Sequence, residues 1–117
     1  MRMDNEQKVV VALTADLIFA ARIRGAAGNV KLILARDVDD FLTRVRELQP
    51  QLAVLDLDRR GMDVERVVRE AKATRGVALL AYCSHVREDL IATARVAGAD
   101  RVMARGAFAK QMSEILQ

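Results

Sequence analysis

Short apolar runs alternate along this chain with stretches in which apolar positions recur every three or four residues. The most continuous run, 52–57 (Leu-Ala-Val-Leu-Asp-Leu), lies between Pro50 and Gly61 and passes into carboxylates. A strand covered on both faces reads as unbroken apolar residues, whereas one wetted on a single face alternates, so this run predicts a central strand flanked by helices. Asp56 then falls at its carboxyl end, the edge of an open α/β sheet where ligands collect.

The same pattern predicts strands over 8–13, 30–35, 77–82 and 101–104, with a helix after each strand. Thr14 is expected to cap the first helix, which runs to about Gly25 with Leu17, Ile18, Ala20 and Ala21 inward. Asp37 caps the second, to about Gln49, where Val38, Phe41, Leu42, Val45 and Leu48 give the clearest amphipathic signal, and Pro50 ends it. Asp63 opens the third, with Val64, Val67, Val68 and Ala71 on one face and Gly76 beyond its end. Ser84 is expected to cap the fourth, with Val86, Leu90, Ile91 and Ala94 inward and Gly98 closing it. Phe108, Met112, Ile115 and Leu116 define a last helix lying on the sheet. Five strands alternating with five helices through short turns require right-handed crossovers. The fold class is therefore α/β, a doubly wound parallel sheet of order 2-1-3-4-5. One domain is expected over 1–117, with the first seven residues mobile.

Composition narrows the function. The 117 residues are 52% hydrophobic, enough for one core. Nineteen Lys and Arg against 16 Asp and Glu leave a net charge of +3 that is scattered along the chain, with three Phe, one Tyr and no Trp, which argues against nucleic-acid binding. No apolar run approaches a membrane span, and 1–7 is polar with no hydrophobic segment behind a basic head, so no membrane association and a cytoplasmic location are expected. Cys83 and His85 are each the sole residue of their type, which excludes an internal disulfide and a structural zinc site. Cys83 reads as a small core residue.

Two segments carry a resemblance. Residues 52–63, Leu-Ala-Val-Leu-Asp-Leu-Asp-Arg-Arg-Gly-Met-Asp, are similar to the apolar strand, phosphoacceptor aspartate and Gly-Met-Asp loop of receiver domains in bacterial two-component response regulators. Ala97-Gly98-Ala99-Asp100 is similar to the turn before strand five of the same family. The likeness runs from about Lys8 to Leu116 and implies a flavodoxin-like (βα)5 fold with Asp56 as the phosphoacceptor candidate, a carboxylate able to attack a phosphoryl donor. The rest of the pocket departs from the family. Its magnesium-holding acidic pair corresponds to Leu13 and Thr14, and Asp16 is expected inside the first helix. Mg²⁺ wants anionic oxygens, so no cofactor is expected unless Asp56 is phosphorylatable. The strand-four hydroxyl falls on Ala81, or on Cys83 or Ser84 if the loop shifts. The lysine after strand five becomes Arg105, which keeps the charge without the compact ammonium. The Lys-Pro step becomes Arg105-Gly106, and the aromatic switch residue becomes Val102.

Plainer roles stand beside these. Asp56 paired with Arg105 or Arg59 would be an ion-paired strand-end carboxylate with no chemistry. Asp58 and Asp63 read as loop and helix-cap groups, and His85 as an exposed loop residue. No Ser-His-Asp set, glycine-rich phosphate loop or metal-ligand spacing occurs, so neither catalytic residues nor a metal site are expected. The leading expectation is a stand-alone, atypical receiver, not an enzyme, that acts by binding an unidentified protein partner. Its contact surface is placed on helix four, strand five and helix five, where Ala92, Ala94, Ala97 and Ala99 permit close approach and Arg95, Asp100, Arg101 and Lys110 form a rim, with a twofold homodimer through that face as one form of the contact. The alternatives are a receiver phosphorylated on Asp56 and a module binding a small anion or nucleotide through Thr14, Ser84, His85 and Arg105.

Overall fold

Each apolar run becomes a strand of one parallel sheet in a computed structural model that describes residues 7–84 and 87–117. The expectations for the first six residues, for His85 and for Val86 lie outside the described residues. In chain order the elements are β1 (Val9–Leu13), α1 (Leu17–Ala26), β2 (Lys31–Leu34), α2 (Val38–Leu48), β3 (Leu52–Asp56), α3 (Val64–Lys72), β4 (Ala78–Cys83), α4 (Glu88–Ala97), β5 (Arg101–Ala104) and α5 (Arg105–Leu116). The strand order is β2-β1-β3-β4-β5, with every neighbouring pair parallel, as the alternation of strands and helices requires.

Side-chain alternation along the three middle strands builds two cores. Val11, Leu13, Ala53, Leu55, Leu79, Ala81 and Cys83 face α2, α3 and α4. Val10, Ala12, Leu52, Val54, Leu80 and Tyr82 face α1 and α5. All five residues of β3 are buried, which is why it reads as a continuous apolar run.

Helices α2 and α3 form where their apolar spacing places them. The carboxylate of Asp37 accepts the Asp40 amide at 2.8 Å, and that of Asp63 accepts the Arg66 amide at 3.1 Å. Gln49 ends α2 in the left-handed region at φ 48°, and Pro50 prevents its resumption. Gly98 ends α4 at φ 120°, a conformation that L side chains rarely adopt.

Helices α1 and α4 depart from the sequence pattern. Asp16, not Thr14, caps α1, its Oδ1 accepting the amides of Ile18 at 2.8 Å and Phe19 at 3.1 Å. The buried residues of α1 are Phe19 and Ile23, while Leu17 and Ile18 are 89% and 77% exposed. Six of its first seven residues are apolar, so periodicity alone leaves the buried face open. Phe19 settles it by packing its ring 5.0 Å from Tyr82 and 5.9 Å from Phe108, centroid to centroid. Ser84 does not cap α4. The cap position is Arg87, without a side-chain cap bond, because the helix begins beyond the two or three residues that a capping side chain reaches.

Candidate functional site

The carboxyl ends of β1, β3, β4 and β5 converge on Asp56, the one buried charged residue among the described residues at 1% exposure. Asp56 lies in register with Tyr82 of β4. Its Oδ2 accepts the Thr14 hydroxyl at 3.2 Å and the Ala15 amide at 3.1 Å, and its Oδ1 accepts the Asp58 amide at 2.8 Å. Thr14 is the hub of this cluster. Its Oγ1 donates to Asp56 and accepts the Tyr82 hydroxyl at 2.9 Å and the Asp16 amide at 3.3 Å. Burial pushes the Tyr82 phenol well above its ordinary value, and the charge of Asp56 pushes it the same way against the Thr14 hydrogen bond.

Neither arginine considered as a partner for Asp56 pairs with it. Arg105 donates to Asp16 and lies with its guanidinium carbon 4.3 Å from the centroid of the Phe19 ring. The Arg105 hydrogen bond, followed by the helix amides, holds the Asp16 carboxyl below its usual range, and Asp16 in turn raises Arg105. Arg59 reaches the carbonyl of Arg36 instead, at 3.5 Å. Asp16 therefore lies outside the helix, where it binds the arginine that had been one candidate ion-pair partner for Asp56.

The other pocket positions separate. Leu13 and Ala81 are fully buried in the core beneath α2, α3 and α4, as is Cys83 at 1% exposure, so none of them shares a face with Asp56. Burial raises the Cys83 thiol. The Ser84 amide donates to Asp58 Oδ2 at 2.7 Å, so Ser84 and Asp58 brace the adjoining loops. Open space lies on that side. A groove of about 520 Å³ runs between the β3–α3 loop and the start of α4, with Asp58, Arg59, Arg60 and Arg87 among its lining residues. Thr14, Ser84 and Arg105 thus serve three separate partners and do not converge on an anion.

A divalent cation does not fit the residues at Asp56. Both carboxylate oxygens already accept protein donors, the β1 end supplies a hydroxyl where a carboxylate would be needed, and no group of three His, Cys, Asp or Glu side chains among the described residues could hold a metal. The residue that sequence reading missed is Tyr82. Counting in twos from Leu80 puts it on the same face as Asp56, whereas aligning motifs had selected Ala81, one residue short and on the opposite face.

Two positions on the expected contact surface also have structural duties. Asp100 Oδ2 accepts Lys72 Nζ and the Leu79 amide, both at 2.7 Å, so it braces the turn before β5 and is not a free rim charge. Ala94 is fully buried and cannot meet a partner. Arg95, Arg101 and Lys110 are exposed, and Val96 beside them is 84% exposed. No helix among the described residues is long and apolar enough to cross a membrane.

No protein-family model matches the chain, and no curated protein matches it. Solved structures do. The signal receiver domain of the response regulator NarL from Mycobacterium tuberculosis superposes with a TM-score of 0.81 at 20% identity, over 95% of this chain and 94% of that one. A CheY-like receiver domain from Methanospirillum hungatei gives 0.80 at 14% identity, over 95% and 94%. A response regulator from Burkholderia pseudomallei, solved with a phosphorylated aspartic acid, a calcium ion and citrate, gives 0.80 at 17% identity, over 95% of this chain and 67% of that one. At these identities the likeness is one of fold, and the fold is that of response-regulator receiver domains.

Proposed function

We propose that this chain is an atypical receiver domain of two-component signalling that works in the cytoplasm by docking a protein partner, without phosphoryl transfer, bound metal or catalysis of its own. One observation carries this reading. The carboxylate of Asp56 is buried and accepts Thr14 and Ala15 on Oδ2 and Asp58 on Oδ1, so it holds the loops at the strand tips together, and a cation or a phosphoryl donor would have to displace donors already in place.

The docking face is α4, β5 and α5. Val96 and Ala92 of α4 offer exposed apolar surface in a shallow groove shared with Glu65 of α3, and Arg95, Arg101 and Lys110 are exposed on α4, β5 and α5. With Asp100 taken by Lys72, these rim residues present basic charge, which a partner bearing carboxylates fits better than a second copy of the chain. The small-anion alternative is disfavoured because the Thr14 hydroxyl and the Arg105 guanidinium already bind Asp56 and Asp16.

Two measurements test the proposal. Mg²⁺ added in large excess should leave the amides of Ala15, Leu57 and Asp58 where they are, and acetyl phosphate with Mg²⁺ should add no mass to the chain. An Asp56-dependent phosphoryl adduct overturns the reading. Partner capture from extract should then be lost in Val96→Glu and in Arg101→Glu, and retention in both variants rejects this face.

A further inference from the structure

We propose that the groove between the β3–α3 loop and the start of α4 is a binding site for a small organic anion, a phosphate monoester carried on an apolar body. The site is separate from the Asp56 cluster. It uses neither Thr14 nor Arg105, whose existing bonds disfavour an anion beside Asp56. Three observations support it.

First, the groove has the size and the mixed lining of a small-molecule site. It holds about 520 Å³, within the range of roughly 300–1,000 Å³ common to such sites. Leu57, Met62, Val64 and Leu90 give it apolar lining, and Arg59, Arg60 and Arg87 add guanidiniums. Asp58 is the one carboxylate that lines it among the described residues.

Second, two of the three guanidiniums have no carboxylate partner. Arg87 is engaged by both oxygens of Asp89, at 3.3 and 3.2 Å. Arg59 reaches only the Arg36 carbonyl, at 3.5 Å, and Arg60 is exposed and makes no hydrogen bond or ion pair with any described residue. Asp58 does not serve them, since its Oδ2 accepts the Ser84 amide at 2.7 Å. Two uncompensated guanidiniums suit a head that carries close to two negative charges at neutral pH, as a phosphate monoester does. The helix ends act in the same sense. Arg87 stands at the cap position of α4 without a side-chain cap bond, and Val64 opens α3, so the positive ends of two helices border one groove.

Third, the wall that carries both free arginines is fixed at its ends. The Leu57 amide donates to the Tyr82 carbonyl and the Asp58 amide to the Asp56 carboxylate, each at 2.8 Å, while Asp63 caps α3 at 3.1 Å. Gly61 turns the chain between these anchors in the left-handed region, at φ 71°. A wall already in place lowers the ordering cost that a ligand must overcome.

The test is a titration of the full chain with phenyl phosphate, read at the backbone amides of Gly61, Met62 and Leu90. Saturable shifts are expected there, with inorganic phosphate, benzoate and phenol each binding more weakly because each lacks the apolar body, the second charge or the anion. The double variant Arg59→Gln/Arg60→Gln should weaken phenyl phosphate by about tenfold, the loss expected for charge-assisted hydrogen bonds. Both side chains lie at the surface of a loop, so the variant is expected to fold, and unmoved amides in β1 check this. Arg24→Gln, which removes the same charge from α1 on the other side of the sheet, should leave the affinity unchanged. Absence of saturable shifts overturns the proposal, as does equal affinity in the double variant. Inorganic phosphate that binds as tightly as phenyl phosphate overturns the ligand class. Arg59 and Arg60 lie outside α4, β5 and α5, so none of these outcomes depends on the docking face.

Discussion

Asp56 and Asp100 stand at opposite ends of the sheet and solve the same local problem by different means. Each accepts backbone amides and so joins a loop to a strand. Asp100 lies at the amino-terminal end of β5, with its side chain 48% exposed, and has a lysine for company. Asp56 lies at the carboxyl end of β3, is buried, and is held by a hydroxyl and two amides, with no cationic side chain among the described residues paired to it. An exposed carboxylate is solvated whatever its neighbours do, whereas a buried one depends on every donor around it. Asp56 is therefore the position where small changes should be costly, and Asp100 the one where they should be tolerated.

The sharpest way to break this comparison is Asp56→Ala, which strands the Ala15 and Asp58 amides and the Thr14 hydroxyl. A loss of about 3 kcal/mol in denaturant unfolding is expected. Tyr82→Phe comes next, at about 1 kcal/mol, because the ring packing survives and one hydrogen bond goes. Asp100→Asn should cost less than Asp56→Ala, and its effect should depend on pH. At Asp100 partial burial opposes ionisation, but the Lys72 and Leu79 hydrogen bonds outweigh it and leave the carboxyl below its usual range. Asp16 is lowered as well, chiefly by Arg105. A lowered native value means that the unfolded chain takes up protons first, so this stabilisation is complete above about pH 5 and drains away as pH falls below about 4. Asp100→Asn and Asp16→Asn should each flatten that acid limb in a thermal scan. The smallest effect belongs to Leu17→Ser and Ile18→Ser. Both residues are exposed despite sitting at the start of a helix, and each change should stay within about 0.5 kcal/mol.

The legible parts of the molecule are those where one local signal was enough. Helices α2 and α3 carry narrow apolar stripes and an aspartate at the cap, and β3 is apolar throughout, so their place in a two-sided parallel sheet follows from period and propensity. Helix α1 carries apolar residues on all sides, and only the rings of Tyr82 and Phe108 select Phe19 for the interior. At the candidate site, Asp56 announced itself by ending an apolar run. Two of its donors, Thr14 and Ala15, did not, because they are far from it in the chain, the bond to Thr14 spanning 42 residues, and neither did Tyr82, which donates to Thr14.

The parallel alternation of strands and helices, the position of Asp56 and the lack of a second acid after β1 were determined by sequence alone, since they depend on hydrophobic pattern and on which residue types are present. The tertiary structure decided that Arg105 serves Asp16, that Ala81 and Leu13 face away, and that Tyr82 supports the cluster. The physical reason is that a side chain's partner depends on the face of the strand it leaves from and on which donors lie within about 3 Å, and both are set only when five strands align in register.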